Sequence, residues 1–391
     1  MSTFPGMTSR EGSDFGGDVR AARSLFPATA NVAYFNTAAV GLASRRLTAA
    51  YREYLDEWSE SGLDFVRGEA AGERARTAVA ALIGADCSNV ALIPSVSGAA
   101  GLIAAQFGAA GAGQSIVIGE REYSSNHYPW RMLATKGYDV RQVPFRNGGL
   151  EPEDIARHVD SGTALVAFSG VQTATGHRSD IGAISSIARA VGAIVFVDGS
   201  QLVGALPMAE DLASIDVLAT SDHKFLMHAG RGLGYCYLSP AMQNRFTPVN
   251  AGWKSGRVPF ESFFGPGMDL STTASRFDNS ISWVAAVGNA AALSLFDDIG
   301  AEAIYRRNLE LAEQLRVQLA EAGRTPVDLP AANRSTIVSV PLGDAEPARL
   351  LAEMKRRGVV GAARDGNLRL SVHFYNHEDD IQRLVKVLTE I

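Results

Sequence analysis

The chain has 391 residues, 46 % hydrophobic and 20 % charged, with a net charge of −6. That length carries one large α/β core plus a smaller unit, in the composition range of ordinary soluble proteins. The acidic balance argues against a general nucleic-acid partner, which demands a basic face, and no run of about 20 apolar residues offers a membrane span. Cys87 and Cys236 make neither a disulfide framework nor a metal-ligand spacing, so no metal is expected. The N-terminus lacks a charged stretch followed by an apolar one, so no signal peptide is expected and the cytoplasm is the default location.

In chain order, residues 1–18 read as a loose arm rich in Gly, Ser and Thr. A short helix follows from Asp18 to Phe26, then an extended segment through Tyr34 and Phe35. Helices are predicted over Arg45–Ser61, with Tyr51, Leu55 and Trp58 at helical spacing, and over Glu69–Ile83. Short apolar runs then alternate with helical stretches. The candidate strands are Val90–Ile93, Ser115–Ile118, Asp139–Val143, Ala164–Phe168, Ala193–Val197, Val217–Thr220 and Leu233–Leu238. Between them Gly98–Phe107, Tyr128–Lys136, Glu151–Val159 and Gly182–Val191 read as helices. This βαβ rhythm, with strands apolar throughout, predicts a mostly parallel sheet covered on both faces. A loop rich in Gly, Pro and Phe runs from about Pro240 to Met268, and Trp283–Ala322 reads as one long helix. Ser335–Val340, the helix Glu346–Arg357, the strand Leu368–Val372 and the helix His377–Ile391 complete a small α+β unit. The expected division is an N-terminal arm (1–33) packing with the small domain, a large domain (34–280) and a small C-terminal domain (281–391).

The chemistry concentrates where strands end. Ala193–Val197 runs into Asp198-Gly-Ser-Gln201, and Val217–Thr220 runs into Ser221-Asp-His-Lys224. Ligands of open α/β sheets bind beyond the carboxyl ends of strands, so a carboxylate and a lysine can converge there. Pyridoxal 5'-phosphate (PLP) needs such a pair. The lysine must lose its proton to form a Schiff base, and a carboxylate must keep the pyridine nitrogen protonated so that the ring can accept electrons. Alone, the aspartate reads as a helix cap and the lysine as solvated; together, flanked by Ser221, His223 and Gln201, they are hard to explain by chance. A dinucleotide-binding oxidoreductase fits poorly. No G-x-G-x-x-G follows the first strand, and Gly230-Arg-Gly-Leu-Gly234 precedes a strand rather than a helix.

Val197-Asp-Gly-Ser-Gln201 followed by Ser221-Asp-His-Lys224 resembles the class V aminotransferase group of fold-type I PLP enzymes, which includes cysteine desulfurases, selenocysteine lyases, isopenicillin N epimerase-like proteins and kynureninases. The resemblance runs from Tyr34-Phe-Asn-Thr-Ala-Ala39 to the terminal helix. It implies a large α/β domain with a mostly parallel seven-stranded sheet, a small α+β C-terminal domain, PLP as cofactor, an amino-acid substrate and a homodimer with sites at its interface. Lys224 would carry the cofactor, Asp198 pair with the pyridine nitrogen, Gln201 contact the ring hydroxyl, and Ser221 and His223 help to hold the phosphate. In Ile93-Pro-Ser-Val-Ser-Gly-Ala99, Ser97 and Gly98 lie at a strand-to-helix turn suited to a phosphate. In Glu120-Arg-Glu-Tyr-Ser-Ser-Asn126, Tyr123 would stack on the ring. Thr173 in Gly170-Val-Gln-Thr-Ala-Thr-Gly176 stands where the family has an Asn, and its hydroxyl can still donate. Arg369 matches the arginine that grips the substrate carboxylate, with Asn36 as a further substrate contact. Ser280, in Arg276-Phe-Asp-Asn-Ser280, would offer a hydroxyl to the phosphate of a second subunit. Trp253, His228, Arg231, His177 and Arg364 are candidates for the substrate end, each equally explained by packing or surface ion pairing.

Cysteine desulfurases carry a nucleophilic Cys on a loop not far ahead of the carboxylate-binding arginine. Leu351 to Arg369 contains none, and Cys236 sits in an apolar strand where a thiolate would be costly. A persulfide relay is therefore not expected. The expected reaction is β-elimination at a Cβ–heteroatom bond of C–S type, ahead of epimerisation or transamination, with Lys224 shuttling the Cα proton.

Overall fold

The computed structural model describes residues 18–391 apart from Ala229 and Pro266. The arm read over residues 1–18 lies almost wholly outside the described residues.

The predicted sheet is present, with seven strands in the spatial order Val90–Ile93, Gly234–Leu238, Val217–Ser221, Ile194–Asp198, Thr163–Ser169, Ser115–Gly119 and Asp139–Val143. Gly234–Leu238 runs antiparallel to both its neighbours, and the other pairings are parallel. Strand periodicity sorts the apolar side chains between two layers. Val195 and Val197 face a core shared with the helices Phe65–Ile83, Ile181–Ala190 and Trp283–Ile299. Ile194 and Phe196 face the opposite core, with the helix Val96–Ala104 and Trp130. Covering both faces is what makes the inner strands apolar throughout, whereas the edge strand Asp139–Val143 keeps Asp139 and Gln142 in water.

The helix predicted from Glu69 begins four residues earlier, at Phe65, because the Asp64 carboxylate caps it by accepting from the amides of Val66 and Arg67. Similarly, the helix predicted from Gly98 begins at Val96 under the cap of Ser95. The long helix expected over Trp283–Ala322 is two helices, Trp283–Ile299 and Ala301–Glu321, meeting at 87°. Gly300 makes the break, with a φ of 88° that a side chain would disfavour. The stretch read as loop from Pro240 opens on a short helix, Pro240–Arg245, capped by Ser239.

Toward the C-terminus, Ile337–Pro341 pairs antiparallel with Asn367–Ser371, which also pairs with Ala362–Arg364. That last strand was not predicted from the sequence. It joins its neighbour through Asp365 and Gly366, whose φ values of 47° and 76° are those of a two-residue type I′ turn. Ala33–Tyr34 adds beside Val359–Val360, and Asn36 bridges to Ser371. The N-terminal strand thereby delivers Asn36 to the strand that carries Arg369. Arg23 pairs with Asp380 at 2.6 Å, and Phe26 packs on Phe374 and Tyr375.

Candidate active site

Chain leaving the carboxyl ends of the central strands lines a cavity of about 260 Å³, at the small end of ligand sites, which run from about 300 to 1,000 Å³. Ser97, Tyr123, Thr173, Asp198, Gln201, Ser221, His223, Lys224 and Arg369 all line it. Of the other residues singled out in the sequence, Gly98 lies one position beyond the wall, its amide donating to Ser95 Oγ at 3.1 Å. Asn36 stands behind Arg369. Ser280 is exposed and does not reach the cavity. Arg231 and Arg364 are at the cavity wall, whereas Trp253, His177 and His228 are not.

Burial drives the lysine. Lys224 is withdrawn from water at the cavity wall, which pulls its pKa from 10.5 down to about 8. Asp198 opposes the shift, while Arg369 and Arg231 reinforce it. Its ammonium lies 5.5 Å from the Tyr123 ring centroid. Asp198 ends its strand buried, with one carboxylate oxygen accepting from Ser200 N at 2.9 Å. Tyr123 is half-exposed on a loop anchored by its neighbour Glu122. The Glu122 carboxylate accepts from Ser169 N at 3.0 Å and Gln172 Nε2 at 2.8 Å, and burial raises its pKa to about 7.

Thr173 ties two functional side chains together. Its Oγ1 accepts from Gln201 Nε2 at 2.9 Å and from Arg369 Nη1 at 2.8 Å. With both lone pairs engaged, its own proton is left for a ligand. Gln201 also donates to Ala38 O at 3.0 Å. Arg369 is 2 % exposed, and its remaining bonds run to Asn36 Oδ1 at 3.3 Å and Thr173 O at 3.4 Å. No carboxylate meets it among the described residues. Burial and the nearby Arg364 lower its pKa to about 10.

Gly41 sets the position of the lysine backbone. Its amide donates to His223 O at 2.8 Å. A Cβ there would lie 2.5 Å from Lys224 O and 2.9 Å from Met227 Cα, so only glycine permits the approach. Met227 itself has a φ of 60°, the left-handed turn after which the His228 amide returns to Asp222 O at 3.2 Å.

Asp222, to which the sequence reading assigned no role, is the hub below His223. Its carboxylate accepts from His223 Nδ1 at 3.1 Å, His228 Nδ1 at 2.9 Å, Leu233 N at 3.2 Å and Asn289 Nδ2 at 3.3 Å. Burial alone would raise its pKa, but the histidine hydrogen bonds and charge hold it below the usual value. The far nitrogen of His228 bonds the hydroxyl of Tyr51, whose pKa burial raises to about 12. With His223 Nδ1 committed to Asp222, Nε2 is the nitrogen left for a ligand.

The residues fit PLP. Gln201 Oε1, Ser221 Oγ and Arg369 Nε are buried polar atoms without a partner among the described residues, a cost that a polar ligand relieves. Ser95 and Ser97, at the N-terminus of Val96–Ala104, lie 3.1 Å apart and line the same wall as His223, as a phosphate requires. The free cysteines stand elsewhere. Cys87 is exposed, and Cys236 is buried in the strand core, where burial pushes its thiol up to about 12.

The sequence profile of the aminotransferase class-V family matches residues 33–384. An uncharacterised aminotransferase of Bacillus subtilis is 25 % identical over 93 % of this chain and 95 % of its own length. A probable cysteine desulfurase of Methanothermobacter thermautotrophicus is 26 % identical over 89 % and 90 %. Among solved structures, the cysteine desulfurase of Thermococcus onnurineus NA1 superposes with a TM-score of 0.81 at 24 % identity, covering 95 % of this chain and 97 % of that one. The cystine C–S lyase C-DES, solved with its product cysteine persulfide, also has a TM-score of 0.81, at 21 % identity over 94 % and 99 %. With the family matched across nearly the whole chain and a cavity that suits the cofactor, the chain belongs to the class-V aminotransferase family and is a pyridoxal-phosphate-dependent enzyme.

Proposed function

We propose that this enzyme is a lyase that cleaves a Cβ–heteroatom bond of C–S type in an amino acid, by β-elimination and without a cysteine persulfide relay. The observation that carries the reading is a cavity with a lysine of lowered pKa and no thiol on its wall. The hairpin ahead of Arg369 supports it. Desulfurases place their nucleophilic Cys on a loop in this region, whereas here Arg364 and Asn367 are joined by two residues only. Such a turn leaves no loop to bring a nucleophile to the substrate.

In this reading Lys224 carries PLP, Asp198 pairs with its ring nitrogen, and Gln201 and Thr173 meet the ring hydroxyl. Tyr123 stacks on the ring, and Ser97, Gly98, Ser221 and His223 hold the phosphate, with Ser280 reaching that of a second subunit in a homodimer. When bound, the cofactor supplies an electron sink for a carbanion at Cα. Arg369, with Asn36 behind it, orients the substrate carboxylate by a planar fork. Lys224 Nζ, once released by the substrate amine, would be the group placed to take the Cα proton. With the electron sink the cofactor would supply, loss of that proton would let the thiolate leave Cβ, and the released 2-aminoacrylate would hydrolyse to pyruvate and ammonia when Cβ is otherwise unsubstituted.

The test is twofold. Borohydride reduction of the yellow holoprotein should leave the cofactor covalently on Lys224, read by peptide mass spectrometry; an adduct on another lysine overturns the assignment. A panel of amino acids should then release keto acid, ammonia and thiol in equal amounts. Loss of optical rotation without product would make the enzyme an epimerase, and keto acid formed only with an amino acceptor would make it an aminotransferase.

A further inference from the structure

Four cations crowd the cavity of a chain whose overall charge is −6. Lys224, Arg231, Arg364 and Arg369 line it, against two carboxylates, Asp198 and Asp222. Neither acid balances the arginines. Asp222 is saturated by His223, His228, Leu233 and Asn289, and Asp198 is assigned to the cofactor ring. One carboxylate of an amino acid accounts for Arg369. A second arginine beside it is then unexplained.

The hairpin register places that second arginine. Ala362 stands opposite Arg369 and Arg364 opposite Asn367, so Arg364 and Arg369 are diagonal neighbours whose side chains leave the same face. Asp365 at the tip pairs with Arg121 at 3.1 Å, which ties the hairpin to the loop bearing Tyr123. Arg364 itself is exposed at the cavity mouth, and its one hydrogen bond among the described residues goes to Ala363 O at 2.7 Å. Two guanidinium groups on one face repel each other and lower the pKa of the buried one. An arrangement of that kind is relieved by anions at both ends.

We infer that the substrate is an amino acid whose side chain ends in a second carboxylate, and that Arg364 receives it while Arg369 holds the α-carboxylate. This rests on the reading of Lys224 and Arg369 given above and extends it to the side chain of the substrate. Arg231, unpaired among the described residues, adds to the field at the cavity wall but does not share the hairpin face. The inference commits to Arg364 as the specificity-determining residue.

The experiment is a spectral titration of the PLP-loaded enzyme with isosteric acid and amide pairs, L-aspartate with L-asparagine and L-glutamate with L-glutamine, following the cofactor band. A charge-assisted pair predicts that at least one acid binds about tenfold or more tighter than its amide. Arg364→Gln should collapse that ratio to within about twofold, because the acid alone loses its ion pair. Arg364→Lys should keep part of it, since an ammonium retains the charge without the fork. Equal affinity of acid and amide in the parent enzyme, or a preference that survives Arg364→Gln, overturns the inference. A chain that takes up no PLP at all brings down the cofactor reading first, and this inference with it.

Discussion

Arg369 is buried at 2 % exposure with no carboxylate beside it among the described residues, which sets binding against stability. The drop of its pKa from 12.5 to about 10 corresponds to a penalty of about 3 kcal/mol on the charged form. At neutral pH, below both values, the group is charged in the folded and the unfolded chain, and the penalty stands in full. It is relieved only as the pH rises from about 10 toward the ordinary guanidine range. The bonds to Thr173 and Asn36 return part of it, so replacing the side chain by an apolar one of similar length should be close to neutral or stabilising. Arg369→Met is therefore expected to keep or raise the thermal midpoint of the cofactor-free chain, and to retain PLP on Lys224. Its affinity for amino acids should fall by about 2–4 kcal/mol, the loss of a bidentate charged pair, or roughly 30- to 700-fold. Arg369→Lys should fall between the two. Differential scanning calorimetry and the spectral titration read the two effects separately. A midpoint lower by several degrees would show that the guanidinium is a structural partner of Thr173 and Asn36. Unchanged substrate affinity would mean that a different arginine grips the carboxylate, and would falsify the assignment of this strand.

Two further outcomes follow from the same geometry. With a pKa of about 8, about one Lys224 in ten is unprotonated at pH 7, against about one in 3,000 at the ordinary value of 10.5. Because only the free amine attacks the aldehyde, the rate of PLP capture by the apoenzyme should climb between pH 7 and 9 with a midpoint near 8. A stopped-flow profile still rising steeply beyond pH 9.5 would show a lysine of ordinary basicity. Cys87→Ala and Cys236→Ala should each keep most of the activity, since one thiol is exposed away from the cavity and the other is locked in the sheet core; complete loss in a folded, PLP-loaded variant would restore a thiol relay.

Most strands of the large sheet are legible because they are apolar runs between turns, the edge strand Asp139–Val143 being the polar exception, and their carboxyl ends point to the candidate site. Asp198 and Lys224 follow directly from that rule. Helix starts are less legible, since Asp64 and Ser95 act through side-chain hydrogen bonds to amides two and three residues on, and the apolar pattern alone points further inside. Gly300 illustrates the opposite difficulty. Helical periodicity continues on both sides of it, and only its positive φ reveals the 87° corner. The residues of the Asp222 hub come from four separate places in the chain: Tyr51, His223 with His228, Leu233 and Asn289. What joins them is the turn at Met227 and the packing of Trp283–Ile299, neither of which has a local signature. Asp222 therefore stands in the motif Ser221-Asp-His-Lys224 with its role hidden until the chain is folded.

The hairpin at Asp365-Gly366 shows how a local signal can carry a functional distinction. Asp-Gly is a strong two-residue turn signal, yet Ala362-Ala363-Arg364 has no β-branched residue and does not read as a strand. Pairing with Asn367–Ser371 makes it one, and the consequences reach the chemistry. In the proposed lyase reading, this two-residue connection stands in place of a thiol-bearing loop, and the strand before it ends in an arginine. The same register sets Arg364 on the face of Arg369, and the Asp365–Arg121 pair holds the tip against the loop of Tyr123. Lengthening this turn would loosen Arg364 while leaving Lys224, Asp198 and the cofactor cradle in place, because those rest on the large sheet and on the close contact of Gly41 with Lys224. In the proposed reading, reaction chemistry and substrate selection rest on different parts of the fold, the first on the strand ends of the seven-stranded sheet and the second on one turn of the small one.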